Sequence, residues 1–273
     1  MTEGAKETSM NDTANAIPGT PSRVPQASAQ RIRAIRRWTA DLWSLRIERP
    51  AGFRFQPGHY LRLGLPMDAS ATAVWRPYSI VSAPDDEALE IVLVRVPDGA
   101  FTSQLARLGE GDPVLLEQAV FGFFLESQLA PGDTLWMLAT GTGLGPYVSL
   151  LRTPGALDRH RHAVLVHSVR RAAELSYRDE IEAAVAASGG RLRYLPVVTR
   201  ETEAGALAGR IPQLIGDGLL QSAADATLEP AGSRVMVCGN PAFTTDLRAL
   251  LSARGFTPCR RNSPGTMLFE KYW

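Results

Sequence analysis

The chain is poor in the residues that bind metals and form disulfides. Of its 273 residues, two are cysteine and four are histidine. Cys238 and Cys259 cannot ligate an iron–sulfur cluster, which takes four ligands. Nor do they make the framework of a secreted disulfide protein. His59, His160, His162 and His167 lack zinc-ligand spacing, so no resident metal is expected. His160 and His162 flank an arginine and read as solvated loop residues. Neither sign of charge is in excess. A formal net charge of +1 gives no case for nucleic acid or a membrane surface. No apolar run reaches the roughly 18 residues of a membrane span. The N-terminus lacks the basic-then-apolar order of a signal peptide. A reducing cytoplasm is the expected location.

The length suggests two domains, and the rhythm of the chain changes once. Residues 1–29 are rich in Thr, Ser, Ala, Pro and Gly and poor in large apolar side chains. They read as a disordered extension. Residues 30–130 carry short alternating segments (Trp43–Ile47, Tyr60–Leu65, Leu89–Val96) punctuated by Pro and Gly. That pattern predicts an antiparallel β-barrel, with one short helix over Thr102–Leu108. The basic cluster Arg31, Arg33, Arg36 and Arg37 reads as the solvated side of an edge strand or turn.

From residue 131 to 273 strands alternate with helices, which predicts a parallel α/β domain. Thr134–Ala139 is a continuous apolar run, as in a strand covered on both faces. Further strands are expected at Ala163–His167, Leu192–Val198 and Arg234–Cys238. Helices are expected at Pro146–Arg152, Ala172–Ala187, Ile211–Leu220 and Pro241–Ala253. In Ala172–Ala187, residues Glu174, Arg178 and Glu182 are spaced i, i+4.

Two segments suggest chemistry. Arg76-Pro77-Tyr78-Ser79-Ile80 places a cation, an aromatic ring and a hydroxyl at the start of a strand-like run. Such a strip can hold a flavin dinucleotide, with the guanidinium on the pyrophosphate and the ring and hydroxyl at the flavin. Thr140-Gly141-Thr142-Gly143-Leu144-Gly145-Pro146 joins a buried strand to a helix. Its glycines permit close approach to a pyrophosphate at a helix N-terminus, although the spacing is neither the dinucleotide fingerprint nor a Walker loop. After the next strand an NAD site often places a carboxylate on the ribose diol. Here the residues are Val169-Arg170-Arg171. Arg200 and Arg210 end similar segments, which favours a ribose 2′-phosphate and hence NADP.

In this order the pieces resemble ferredoxin/flavodoxin–NADP⁺ reductases, most nearly the bacterial branch whose chains end in Tyr-Trp. The resemblance runs from about Gln30 to Trp273. It includes Arg76–Ser79, Val94–Gly99, Gly122-Phe123-Phe124, Leu135–Tyr147 and Glu174-Leu175-Ser176-Tyr177. It continues through Thr199-Arg200-Glu201, Gly209–Pro212, Cys238–Pro241 and Tyr272-Trp273. It implies that the barrel binds FAD through Arg76, Pro77, Tyr78, Ser79, Leu93, Val94, Arg95, Ala100, Phe101 and Thr102. Thr142, Tyr272 and Trp273 complete that set, Tyr272 over the nicotinamide-side flavin face and Trp273 near the adenine. NADP is assigned to Thr140, Gly141, Gly143, Val169, Arg170, Thr199, Arg200 and Arg210, with Arg248 near the adenosine. The catalytic group is Tyr78, Ser79, Cys238, Glu270 and Tyr272.

The implied reaction is hydride transfer between NADPH and FAD coupled to one-electron transfer to ferredoxin or flavodoxin, by a monomer. Two other readings stay open. One is the reductase partner of an oxygenase; the other is a flavin-binding redox sensor without turnover. The family's short bacterial members begin near Arg31, so the N-terminal extension is expected to have no counterpart.

Overall fold

The computed structural model describes residues 26–66, 73–97 and 99–272. The first half is a six-stranded antiparallel sheet. Its strands are β1 (Ala27–Arg37), β2 (Leu42–Glu48), β3 (Tyr60–Pro66), β4 (Ala73–Ser79), β5 (Ala88–Val94) and β6 (Pro113–Glu117), with helix α1 (Ala100–Leu105) before β6. The spatial order is β4-β3-β6-β1-β2-β5. An Ile80–Ile91 bridge joins the two outer strands and closes the sheet into a barrel. Alternation fills it: Trp43, Leu45 and Ile47 of β2 point into a core shared with Leu61, Leu63, Ile91 and Phe101.

The second half is a parallel sheet. It contains β7 (Thr134–Thr140), β8 (His162–Val169), β9 (Leu192–Val198), β10 (Leu207–Ala208), β11 (Ser233–Gly239) and β12 (Met267–Lys271). The order is β10-β9-β8-β7-β11-β12, every neighbouring pair parallel. The helices are α2 (Gly145–Arg152), α3 (Arg178–Ala187), α4 (Ile211–Gly216), α5 (Leu219–Ala224) and α6 (Pro241–Ala253). Leu135–Ala139 is wholly buried, because helices cover both faces of a parallel sheet.

Each half has a core of its own, and a third apolar cluster joins the two. One apolar cluster includes Leu42, Val81 and Val92 of the barrel with Met137, Tyr147, Val148 and Tyr177 of the second half. Arg234 fastens the connection between them, donating to Ala130 O and Pro230 O at 2.9 Å each and to Pro131 O.

Several expectations need correction. Residues 27–29 are not part of an unstructured extension: they pair with Leu115–Glu117 as the start of β1, and the expectation for residues 1–25 lies outside the described residues. Arg31, Arg33, Arg36 and Arg37 are exposed, but on an interior strand between β6 and β2 rather than an edge. The barrel helix starts at Ala100, two residues early. The helix over Ala172–Ala187 is broken, because Tyr177 takes a left-handed conformation at φ +59°. Arg178 and Glu182 pair at 2.8 Å, whereas Glu174 turns back to accept from Arg170 N at 2.9 Å. The helix over Ile211–Leu220 is two helices, split at Gly218 with φ +75°. His160 is buried, not solvated: its ring lies 2.7 Å from Glu126 Oε1 and 2.9 Å from Gly132 O.

Candidate functional site

The chain leaves β7 for β8 on one side and returns to β11 on the other, so the carboxyl ends of β7 and β11 form a topological switch point. Ligands of open α/β sheets bind in that crevice. The glycine turn fills it as a 3₁₀ turn, Gly141–Leu144, leading into α2. A Cβ on Gly143 would sit 2.3 Å from Cys238 O, and one on Gly239 would sit 2.1 Å from Thr140 Oγ1. Two of the glycines therefore let β7 and β11 end against each other. Gly141 differs: it has φ +53° and open space where a side chain would be. Asn240, which caps α6 through Phe243 N, reaches back to Thr140 Oγ1.

Sequence reasoning passed over His167. It is fully buried on β8, and its Nε2 lies 3.0 Å from Gly141 O. A carbonyl can only accept, so Nε2 carries the proton. Burial holds this ring neutral, with its pKa down at about 4. The sequence shows only a histidine at the end of the apolar run Ala163–Val166, and its bond to Gly141 O is not encoded there.

β12 brings the end of the chain to this crevice. Register sets Glu270 beside Cys238 and Lys271 beside Gly239, and Tyr272 N donates to Gly239 O at 3.0 Å. Four predicted side chains converge there. Ser79 Oγ donates to Glu270 Oε2 at 3.1 Å, and Cys238 Sγ lies 3.9 Å from the same oxygen. Tyr272 Oη lies 3.2 Å from Ser79 Oγ and 2.9 Å from Thr142 O. Burial dominates the electrostatics. It raises the Glu270 carboxyl to about 7. It also pushes the Cys238 thiol and the Tyr272 phenol well above their usual values, with Glu270 adding to both shifts. Glu270 is therefore a carboxyl that can hold or release a proton near neutral pH, in contact with one hydroxyl and one thiol.

On the barrel side Arg76 and Pro77 are exposed, Tyr78 is half-buried and Ser79 is buried. The Tyr78 ring packs on Phe101 with 5.9 Å between centroids, and burial raises its phenol pKa. The Arg76 guanidinium bonds Trp75 O at 2.9 Å and has no other partner among the described residues. Its fork of donors suits a pyrophosphate.

The other predicted flavin residues divide. Leu93 and Phe101 lie in the barrel core. Thr102 Oγ1 accepts from Val96 N and donates to Val96 O, tying the turn after β5. Val94 is exposed, and Arg95 pairs with Asp41 at 2.8 Å. Ala100 opens α1, whose N-cap Gly99 has no side chain to offer the first-turn amides. Trp273 lies outside the described residues.

Arg170 follows β8, Thr199 and Arg200 follow β9, and Arg210 precedes α4. The backbone joins three of them: Thr199 N donates to Val169 O at 3.0 Å, and Arg200 N to Arg170 O at 2.9 Å. Glu174 and Glu201 accept from the amides of Arg170, Arg171 and Ala172. Those carboxylates are thereby committed to backbone. The guanidinium groups of Arg170, Arg171, Arg200 and Arg210 have no partner among the described residues, a donor set suited to a phosphate. Val169 is buried beneath them. Arg248 lies on α6, the helix that follows β11, with its guanidinium 4.2 Å from the Phe269 ring centre.

Comparison with known proteins fits this geometry. Residues 27–111 match the family described as FAD-binding domain, and residues 137–249 the one described as oxidoreductase NAD-binding domain. The flavodoxin/ferredoxin–NADP reductase of Escherichia coli K12 is 42% identical over 244 residues, 89% of this chain and 97% of that protein. The chain belongs to the bacterial flavodoxin/ferredoxin–NADP reductase family. The family protein of Rhodobacter capsulatus is 34% identical over 270 residues, covering 96% of this chain and 97% of its own, so the match extends into residues 1–29, which were expected to have no counterpart. The fold is shared with a ferredoxin NADP⁺ reductase from Neisseria gonorrhoeae solved with bound FAD and NADP. That match has a TM-score of 0.86 and 32% identity, covering 91% of this chain and 99% of the other.

Proposed function

We propose that this protein is an FAD-dependent oxidoreductase that moves electrons between NADPH and a ferredoxin or flavodoxin. The observation that carries the reading is the junction where Ser79 of the barrel meets Glu270, Cys238 and Tyr272 of the α/β sheet. A flavin on one domain and a nicotinamide on the other must meet at such a place. Bound FAD supplies the chemistry: it takes two electrons with a hydride and gives them up one at a time.

The residues of the chain bind and orient. Arg76 offers its free donors to the FAD pyrophosphate, and Tyr78 and Ser79 border the ring. The backbone at Leu93–Arg95 and at Ala100–Thr102 lines the dinucleotide, since the Leu93, Phe101 and Thr102 side chains are engaged elsewhere. Thr140, Gly141 and Gly143 present the turn to the pyrophosphate of NADP. Arg170, Arg200 and Arg210, with Thr199, enclose the 2′-phosphate. Arg248, on α6, contributes at the adenosine. Glu270 holds a proton within reach of the Ser79 hydroxyl. Tyr272 covers the face at which nicotinamide enters and swings aside to admit it.

Two free thiols suit a reducing cytoplasm. The carrier partner is a small one-electron protein.

Anaerobic titration of the purified protein with NADPH, and separately NADH, tests the reading by visible spectrum. Flavin bleaching near stoichiometric NADPH, with NADH much weaker, is expected. Bound flavin that neither nucleotide reduces overturns it.

A further inference from the structure

In the segment Glu174-Leu175-Ser176-Tyr177, Glu174 braces the Arg170 loop, but Tyr177 belongs to neither cofactor site. Tyr177 holds a left-handed backbone at φ +59°. For an aromatic residue that conformation is costly and persists only when its surroundings hold it. Here they do. Trp38 Nε1 donates to Ser44 Oγ at 2.7 Å, Ser44 Oγ lies 2.5 Å from Tyr177 Oη, and Tyr177 Oη donates to Glu90 Oε1 at 2.8 Å. The Tyr177 proton goes to the carboxylate, so Ser44 donates to Tyr177. The bonds then run one way, from indole to carboxylate, and polarise one another. The Trp38 ring packs on Tyr177 in a tilted pair, with 4.7 Å between centroids and 53° between planes. Trp38, Ser44 and Glu90 belong to the barrel; Tyr177 belongs to the α/β domain.

The second oxygen of Glu90 continues the chain. Glu90 Oε2 accepts from Arg152 Nη1 at 2.9 Å, and the same nitrogen donates to Val81 O at 3.2 Å. One turn earlier on α2, Ser149 Oγ donates to Ser82 O at 2.6 Å. At the other end of α2, a Cβ on Gly145 would lie 3.3 Å from Val81 Cγ2 and 3.8 Å from Ser79 Cβ. Helix α2 therefore lies along residues 79–82, the direct continuation of the Arg76–Ser79 motif, bonded to them at Ser149 and Arg152 and packed closely on them at Gly145. Its N-terminus is the glycine turn at the switch point.

We propose that Glu90 and Tyr177 are positioning residues for hydride transfer. They form a buried clasp that fixes the glycine turn relative to the flavin-binding strand, touching neither cofactor. This rests on the placement of FAD and NADP given above. Hydride transfer needs near-attack geometry, and a displacement of about 1 Å can cost roughly 100-fold in rate. A clasp that joins the two domains directly behind the reacting centres controls that distance.

The test uses the FAD-loaded protein with Glu90→Gln, Tyr177→Phe and the double variant. Tyr177→Phe keeps the ring and its packing, so it serves where Glu90→Gln folds poorly. Three quantities are measured: NADP⁺ affinity by difference spectroscopy, flavin reduction at saturating NADPH by anaerobic stopped flow, and backbone hydrogen exchange over residues 79–82 and 145–152 without nucleotide. The clasp predicts a reduction rate lower by roughly 10–100-fold in each single variant. NADP⁺ affinity stays within about threefold, exchange over both segments is faster, and the double variant falls little further than the singles. Glu90→Ala, which keeps no acceptor for Tyr177, is slower than Glu90→Gln. Variants that only melt earlier, with unchanged reduction rate and exchange, overturn the proposal. Wild-type flavin that NADPH does not reduce overturns the assigned reaction instead, and the two failures are thus distinct.

Discussion

Ser79 Oγ and Glu270 Oε2 are 3.1 Å apart, although 191 positions separate the two residues in sequence. The bond crosses from the barrel to the last strand of the α/β sheet. It buries a carboxyl whose ionised form has lost most of its water, and this sets the first prediction.

Glu270 titrates at about 7 in the folded protein, against 4.5 for the ordinary group. Its folded pKa is raised, so its contribution to stability is fully present below pH 4.5 and is lost as pH rises through 7, a change of about 3 kcal/mol. His167 does the opposite. Its pKa is depressed from 6.5 to about 4, so its contribution is present above pH 6.5 and is lost as pH falls through 4, again about 3 kcal/mol. The two slopes oppose each other between pH 4.5 and 6.5. Urea denaturation of nucleotide-free protein across this range should give a shallow profile for wild type. It should rise with pH for Glu270→Gln and fall with pH for His167→Gln. Parallel profiles in all three proteins rule out both assignments.

Tyr272 is held by its hydroxyl at Thr142 O and its amide at Gly239 O. Replacing it with serine removes the ring that nicotinamide must displace. Tyr272→Ser should bind NADP⁺ at least tenfold more tightly by equilibrium titration. Unchanged affinity counts against the gating role.

The guanidinium groups of Arg200 and Arg170, on two neighbouring loops, have no partner among the described residues. Each charge-assisted hydrogen bond to a phosphate is worth roughly 1.5–3 kcal/mol, or about 10–100-fold in affinity. Arg200→Ala and Arg170→Ala should raise KM for NADPH by that factor and leave KM for NADH nearly unchanged. An equal rise for both nucleotides removes these residues from the 2′-phosphate site.

Two glycine-to-alanine changes should have opposite signs. Gly143→Ala drives a methyl into the Cys238 backbone at 2.3 Å and should cost about 1–3 kcal/mol while slowing flavin reduction. Gly216, the last residue of α4, has open space around it and no positive φ. Gly216→Ala should stabilise by about 0.4–1 kcal/mol. Chemical denaturation of both variants measures the difference.

Both architectures were legible because their periodicities differ: alternation in the barrel, continuous apolar runs such as Leu135–Ala139 in the parallel sheet. The helix breaks at Tyr177 and Gly218 were not. At Tyr177 the local preference for helix is overridden by a hydrogen bond to Glu90, 87 residues away. The first strand hid in a stretch whose composition suits disorder, since Ala27–Ala29 gain order only by pairing with β6. Ser79, Cys238, Glu270 and Tyr272, named from separate motifs, meet at the crevice, whereas the Leu93 and Phe101 side chains lie in the barrel core. His167 and Glu90 escaped because their roles lie in bonds to distant partners, which no local spacing encodes.

The seclusion of Cys238 makes the protein its own probe. The thiol lies under Glu270, beside the point where Tyr272 crosses Gly239, and the only other cysteine, Cys259, is partly accessible on the same chain. A thiol reagent should modify Cys259 steadily and Cys238 only when the segment after β12 lifts away. The ratio of the two labelling rates then clocks how often the tail opens, with no added dye and without turnover.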